Sequence, residues 1–176
     1  MSARTVLHDA DISRALTRIA HEILESNRGA ENLVLLGIPT RGVTLAQRLG
    51  ALIAEIAQHP VPVGALDVTL FRDDLAKHPT RSPHPTDIPA GGIDGRTVVL
   101  VDDVLFSGRS IRAALDAIQS VGRPGAVRLA ILVDRGHREL PIRPDFVGKN
   151  IPSARTERVN VRLVENDGAE EVTIGE

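Results

Sequence analysis

The chain has 176 residues, 42% apolar and 25% charged, with a net charge of −2; this is the make-up of one globular domain over 1–176 with room for a core, and it excludes a polycation. Cysteine, Trp and Tyr are absent and Phe occurs three times, which excludes disulfides, thiolate metal sites, a cysteine nucleophile and an aromatic platform for single strands. No apolar run approaches a membrane span, and the opening MSARTVLHDADISR has no signal-like apolar segment, so no membrane association and a cytoplasmic location are expected.

Residues 9–28 read as a helix. Ile12, Leu16, Ile19 and Ile23 share one apolar arc, Asp9 or Asp11 can cap the start, and Gly29 ends it. Arg14, Thr17, Arg18, His21 and Arg28 fall together on the opposite face, a stripe whose ordinary meaning is a solvated surface. Residues 32–37, NLVLLG, form a buried strand that leads through Ile38-Pro39-Thr40-Arg41-Gly42 into a helix from about Val43 to Ala57. Strand, tight turn, then helix suits an anion, and the Arg41 guanidinium can grip a pyrophosphate bidentately. Residues 63–71, VGALDVTLF, alternate and read as a strand. From Arg72 to Gly95 the chain is irregular, with four prolines and several basic residues, and reads as a basic hairpin or flexible lid.

The organising stretch is 98–110, VVLVDDVLFSGRS. Val98–Val101 form a strand buried on both faces, and Asp102-Asp103 stand at its carboxyl end, where open α/β sheets bind ligands. The loop Val104-Leu105-Phe106-Ser107-Gly108-Arg109-Ser110 opens a helix to about Val121, so its N–H groups, hydroxyls and helix dipole suit a phosphate. One side thus offers acceptors for hydroxyls or a metal and the other cradles a phosphate, as a phosphorylated sugar requires. Residues 126–133, AVRLAILV, make another buried strand, and 159–164 a late one. Strands alternating with helices give an α/β fold, a central mainly parallel sheet flanked by helices.

The 98–110 stretch resembles the phosphoribosyl pyrophosphate (PRPP) motif of type I phosphoribosyltransferases, in order and in full. The wider chain resembles the branch of pyrimidine-operon regulators that also act as uracil phosphoribosyltransferases, through ALTRIAHEI (15–23), GIPTRGVTLAQRL (37–49), LDVTLFRDDL (66–75) and DRGHRELPIRPDFVGKNIPS (134–153). The resemblance implies a type I phosphoribosyltransferase fold with a small hood and a flexible lid. It implies that Asp102 and Asp103 hold the ribose hydroxyls, that Val104–Ser110 hold the 5′-phosphate, and that Thr40 and Arg41 hold pyrophosphate with Mg²⁺ bridging its oxygens, the acidic pair being the candidate protein ligands. Arg135 and Gly136 would present backbone groups to uracil, with Asn160 closing nearby, and Arg81 would reach substrate from the lid. Phe71 and Phe106 stand where tyrosine is common in the family, so neither ring brings a hydroxyl.

The implied reaction is displacement of pyrophosphate from ribose C1 by a uracil ring nitrogen, giving UMP. The second implied role is regulation: UMP- and PRPP-responsive binding of pyrimidine-operon messenger RNA through Thr17, Arg18, His21 and Arg28, extended by Arg138 and Arg143. A plain phosphoribosyltransferase for uracil or a purine, without RNA binding, is the alternative. A homodimer or homotetramer is expected by the same resemblance.

Overall fold

This computed structural model describes residues 2–74 and 82–176. Five parallel strands make the central sheet in the order β3-β2-β4-β5-β6. They are β2 (Leu33–Gly37), β3 (Val63–Ala65), β4 (Thr97–Leu105), β5 (Ala126–Asp134) and β6 (Phe146–Asn150). Helices α1 (Asp9–Asn27) and α2 (Arg41–Ala57) cover one face, and α3 (Arg109–Gln119) covers the other.

The strand sequences dictate this layering. Successive side chains on a strand point to opposite faces, and the central positions of β2, β4 and β5 are apolar on both. Leu33, Leu35, Val99, Val101, Ala130 and Leu132 pack on the α1/α2 side. Their neighbours Val34, Leu36, Val98, Leu100, Leu129 and Ile131 pack on the α3 side. A sheet that buries both faces needs an unbroken apolar run, which is what 98–101 and 129–133 supply.

A second sheet, antiparallel and in the order β1-β8-β7, is built from the two ends of the chain: β1 (Arg4–His8), β7 (Arg158–Arg162) and β8 (Glu171–Gly175). A short helix, α4 (Val164–Asp167), joins β7 to β8. Leu7, Val161, Leu163, Val172 and Ile174 from this hood share one apolar cluster with α1 and α2.

Several boundaries differ from the sequence-based expectation. Helix α1 stops one residue early: Arg28 takes the left-handed conformation (φ 56°) and Gly29 follows it, its N–H donating to Leu24 O at 2.9 Å. At its start Asp11 accepts from the His8 N–H at 2.9 Å, so Asp11 rather than Asp9 closes the cap. The strand expected over 63–71 ends at Ala65, because the Asp67 carboxylate accepts from both the N–H and the hydroxyl of Thr69 and bends the chain into a 3₁₀ turn over Thr69–Phe71. The acidic pair lies inside β4, which runs on to Leu105 by pairing with β5. Helix α2 begins at Arg41, two residues earlier than expected.

Two glycines fix how close α2 comes to the sheet. A Cβ on Gly37 would sit 2.4 Å from Gly42 O, and one on Gly42 would sit 2.5 Å from Val101 O. Only glycine permits that approach, and it brings the start of α2 against the acidic pair. Within the described residues no helix is long and apolar enough to cross a membrane. The expected lid falls partly outside the description: Arg81 and its neighbours from 75 on are not described, while Asp87 returns to pair with Ala65 in a single antiparallel bridge.

Candidate active site

Partner strand β2 stops at Gly37, opposite Val101, so β4 projects beyond it towards the carboxyl end of the sheet. Asp102 and Asp103 occupy the first two projecting positions. Adjacent strand residues face opposite ways, and the two carboxylates accordingly open into two different cavities. Asp102 lines a cavity of about 660 Å³ with Val104 to Ile111, Arg72, Asp73, Asp74 and Glu139. Asp103 lines one of about 420 Å³ with Arg41, Asn160, Arg162, Asp167 and Thr173.

The first cavity is a backbone cradle. Gly108 is left-handed (φ 92°) and caps α3, and a Cβ there would meet Ile142 at 3.1 Å. Ser107 Oγ accepts from the Arg109 N–H at 3.3 Å. Ser107 O accepts from the N–H groups of Glu139 and Leu140 at 2.9 and 3.2 Å, which fastens the loop to the segment after β5. The first turn of α3 contains no acid, so its dipole is left to an incoming anion. The guanidinium of Arg109 is already paired, with Asp73 at 2.6 Å and Glu139 at 2.9 Å, and the Glu139 and Asp73 carboxylates hold its pKa above the ordinary value.

The second cavity depends on a side chain. Arg41 opens α2, and Asp167 of α4 accepts from its Nε at 3.0 Å and its Nη2 at 2.5 Å. That pairing raises the Arg41 pKa, with Asp103 adding a weaker attraction. Thr40 is exposed beside it, where a cis peptide links it to Pro39.

The acidic pair itself is strained electrostatically. Burial, and next the charge on Asp103, push the Asp102 acid well above the usual carboxylate range. Each carboxylate folds back on the main chain: Asp102 Oδ1 accepts from the Asp103 N–H at 2.9 Å, and Asp103 Oδ1 from the Val104 N–H at 2.8 Å. Two adjacent acids at a strand end, one of them raised by burial and by its neighbour's charge, mark a functional site better than a structural one.

The structure thus brings Arg41, Asp102, Asp103, Val104–Ser110 and Asn160 to the two cavities, while Thr40, the neighbour of Arg41, lines neither. Arg135 and Gly136 line neither. Their N–H groups donate to Leu105 O at 3.1 Å and Asp134 Oδ1 at 3.1 Å. Arg135 is buried, and burial lowers its pKa. Its guanidinium donates to Ser153 Oγ and Ala154 O and lies 4.2 Å from the Phe106 ring centre. Phe106 thus meets the Arg135 guanidinium through its ring face, a cation–π contact that needs no hydroxyl.

Of the expected RNA-binding residues, Thr17, Arg18, His21 and Arg28 are exposed on α1, and Arg143 is exposed in the β5–β6 loop. Arg18 also ties α1 to the sheet edge, donating to Val147 O at 3.1 Å and Gly148 O at 2.6 Å. Arg138 is engaged internally, with Asp134, Ile142 O and Phe106 O. Sequence reasoning missed Asp73 and Glu139, which face the cradle, and Asp167, which holds Arg41. Asp73 stood within a stretch already singled out, whereas nothing near Asp167 in the sequence points to Arg41.

The family model for the phosphoribosyl transferase domain matches residues 2–166. The chain belongs to the phosphoribosyl transferase family. Within it, the chain is 67% identical to the bifunctional protein PyrR of Leifsonia xyli subsp. xyli, with 100% of this chain and 98% of that protein covered. It is 62% identical to the bifunctional protein PyrR of Streptomyces coelicolor, covering 98% of this chain and 90% of that one. These relatives place this phosphoribosyltransferase in the PyrR branch. Among solved structures it is similar to HGPRT-ase from Leishmania tarentolae in complex with GMP (TM-score 0.71, 19% identity, 100% and 98% of the two chains). It is also similar to a hypoxanthine phosphoribosyl transferase of Trypanosoma cruzi (TM-score 0.73, 15% identity, 98% and 91%). At such identities these likenesses speak for the fold alone, the type I phosphoribosyltransferase fold, and the PyrR relatives decide the branch.

Proposed function

We infer that the chain is a regulator of pyrimidine gene expression that binds messenger RNA and transfers the phosphoribosyl group of PRPP to uracil, yielding UMP and pyrophosphate. The observation that carries the site assignment is the split acidic pair. PRPP has an anion at each end of a sugar diol, and here two carboxylates stand between two cavities suited to anions. In this reading the 104–110 cradle takes the 5′-phosphate, Asp102 and Asp103 accept from the ribose hydroxyls, and Arg41 and Thr40 meet pyrophosphate beside Asn160. Uracil enters on the Asn160 side, and its ring nitrogen displaces pyrophosphate from C1 through an oxocarbenium-like state. The residues bind, orient and shield, and none acts as a nucleophile.

Enzymes of this family use Mg²⁺ with PRPP. Among the described residues no three His, Cys, Asp or Glu side chains converge on one point. That donor set fits an ion carried chiefly by the oxygens of PRPP, with Asp102 and Asp103 the candidate protein ligands; bound there, the ion would stabilise the leaving pyrophosphate. The same reading makes the chain a single cytoplasmic domain that self-associates as a dimer or tetramer and responds to UMP through its catalytic site.

A base panel with PRPP and Mg²⁺ tests the enzyme, run beside RNA binding with and without UMP. Turnover of uracil, with hypoxanthine, adenine and cytosine at least about a hundredfold slower, and tighter binding of a pyrimidine-operon leader with UMP are expected; a discrimination of that size is what a site built for specific polar edges gives. Turnover of a purine in preference to uracil would overturn the substrate. Uracil turnover with no leader binding would leave the plain enzyme.

A further inference from the structure

We propose that Asp167 is a positioning residue for the transfer: it holds one edge of the Arg41 guanidinium so that the other edge meets the pyrophosphate. The proposal rests on the reading that Arg41 contacts pyrophosphate.

A guanidinium has two edges that can each bind an oxyanion bidentately, the side-on edge (Nε and Nη2) and the end-on edge (Nη1 and Nη2). Asp167 takes the side-on edge with both oxygens, at 3.0 and 2.5 Å. Nη1 has no hydrogen-bond partner among the described residues, and Arg41, Asp167 and Asp103 line one cavity. The end-on edge is therefore the one left for a ligand. The carboxylate is itself fixed, since Asp167 Oδ2 accepts from the Leu163 N–H at 2.9 Å. Arg41 also opens a helix whose first turn holds no acid, so the helix dipole repels it. Without a nearby carboxylate this long side chain would swing into solvent, and PRPP would have to order it on binding.

Asp167 belongs to a strap that lies along one face of α2. Thr44 donates to Asn166 at 2.8 Å, and Arg48 pairs with Glu165 and with Glu170, each at 2.5 Å. Arg41, Thr44 and Arg48 are spaced i, i+3, i+7, so one helix face carries all three clasps. The Arg48 clasp lies outside both cavities, which makes it the control for mere attachment of the strap.

PRPP and uracil KM and kcat are measured for Asp167→Asn, Arg41→Lys, the double variant and Arg48→Gln. Asp167→Asn keeps an oxygen for the Leu163 N–H and should raise PRPP KM about tenfold, the effect of losing one charge-assisted bond at about 1.4 kcal/mol per decade. Uracil KM should hold. In the Arg41→Lys background, where no fork remains to be aimed, Asp167→Asn should change PRPP KM less than about twofold. Arg48→Gln should leave it within about twofold of the parent. The proposal fails if Asp167→Asn leaves PRPP KM unchanged while Arg41→Lys raises it. It fails equally if Asp167→Asn acts as strongly in the lysine background, or if Arg48→Gln reproduces its effect, since either would mean strap packing alone. An unchanged PRPP KM in Arg41→Lys would instead overturn the placement of Arg41, and Asp167 with it.

Discussion

The two strand-to-helix turns at the carboxyl end of the sheet begin alike and finish differently. Each follows a strand whose central run is apolar on both faces, each opens a helix with an arginine, and neither helix has an acid in its first turn. After β4 the site is lined chiefly by the 104–110 loop: Gly108 turns the backbone, and the Arg109 guanidinium is already occupied by Asp73 and Glu139 at the cavity wall. After β2 the start of α2 presses against β4, and the cation is a side chain aimed by a carboxylate 126 residues away. A backbone cradle tolerates changes in the residues that form it. A side-chain grip is sensitive both to its own chemistry and to a distant element.

The largest effect should come from disturbing the close approach that the second turn needs. Gly42→Ala places a Cβ 2.5 Å from Val101 O and 3.3 Å from the Asp102 Cα, against backbone that cannot swing aside. Overpacking of this kind costs roughly 1–3 kcal/mol, or a fall in Tm of about 3–10 °C for a chain of this size. PRPP KM should rise as well, because Arg41 and Asp102 both lean on that contact. Thermal unfolding and steady-state kinetics check it. A variant with parental Tm and PRPP KM would mean that the crossing is looser than the geometry requires.

Next comes the acidic pair that joins the turns. Asp102→Asn and Asp103→Asn should each lose the equivalent of one charged hydrogen bond in PRPP use, about 1.5–3 kcal/mol, or roughly ten- to a hundredfold in kcat/KM. Stability should move the other way. The Asp102 acid is raised above its ordinary 3.8 by burial and by Asp103. A raised acid contributes stability below the unfolded pKa, and that contribution is lost as pH rises through the folded one. Replacing the carboxylate by an amide removes that loss, so the Tm advantage of Asp102→Asn over the parent should be near zero at about pH 4 and grow towards neutrality. A Tm below the parent at pH 7 would show that the Asp102 charge is fully compensated in the fold.

How much of this was legible in the sequence follows from what range of interaction each feature needs. The sheet was readable because a strand buried on both faces must be apolar throughout, and Val98–Val101 and Leu129–Val133 are. The cradle was readable because its glycine, hydroxyl and helix start are local. Of the hood, β7 was readable as the late strand over 159–164, whereas β1 and β8 were not: they are short, they come from opposite ends of the chain, and only pairing makes them strands. β6 was hidden because its pattern, Phe146 and Gly148 inward with exposed Lys149 and Asn150, is that of a short edge. The 63–71 stretch misled because alternation says nothing of the Asp67–Thr69 bonds that end the strand. Asp167 could not be found at all from local sequence, since its meaning is a contact between α2 and α4.

The smallest effect concerns the α1 stripe, where two arginines of like sequence character differ in the fold. Arg18 donates to the carbonyls of Val147 and Gly148 on the edge strand β6, so Arg18→Ala should lower Tm slightly as well as weaken RNA, and its RNA effect alone is ambiguous. Arg28 sits at φ 56° at the end of α1, a conformation that glycine adopts without strain. Arg28→Gly therefore removes a cation while keeping or slightly raising stability. If the stripe meets RNA, this variant should bind a pyrimidine-operon leader a few-fold more weakly, and its log–log salt slope should shrink by about one phosphate contact. Uracil phosphoribosyltransferase activity should stay at the parental level, because Arg28 lies at the opposite end of the strands from both cavities: α1 ends where β2 begins. Equal leader affinity for Arg28→Gly and the parent across a salt series would make that end of the helix an ordinary solvated surface and leave any RNA contact to the Thr17–His21 turn and the exposed Arg143.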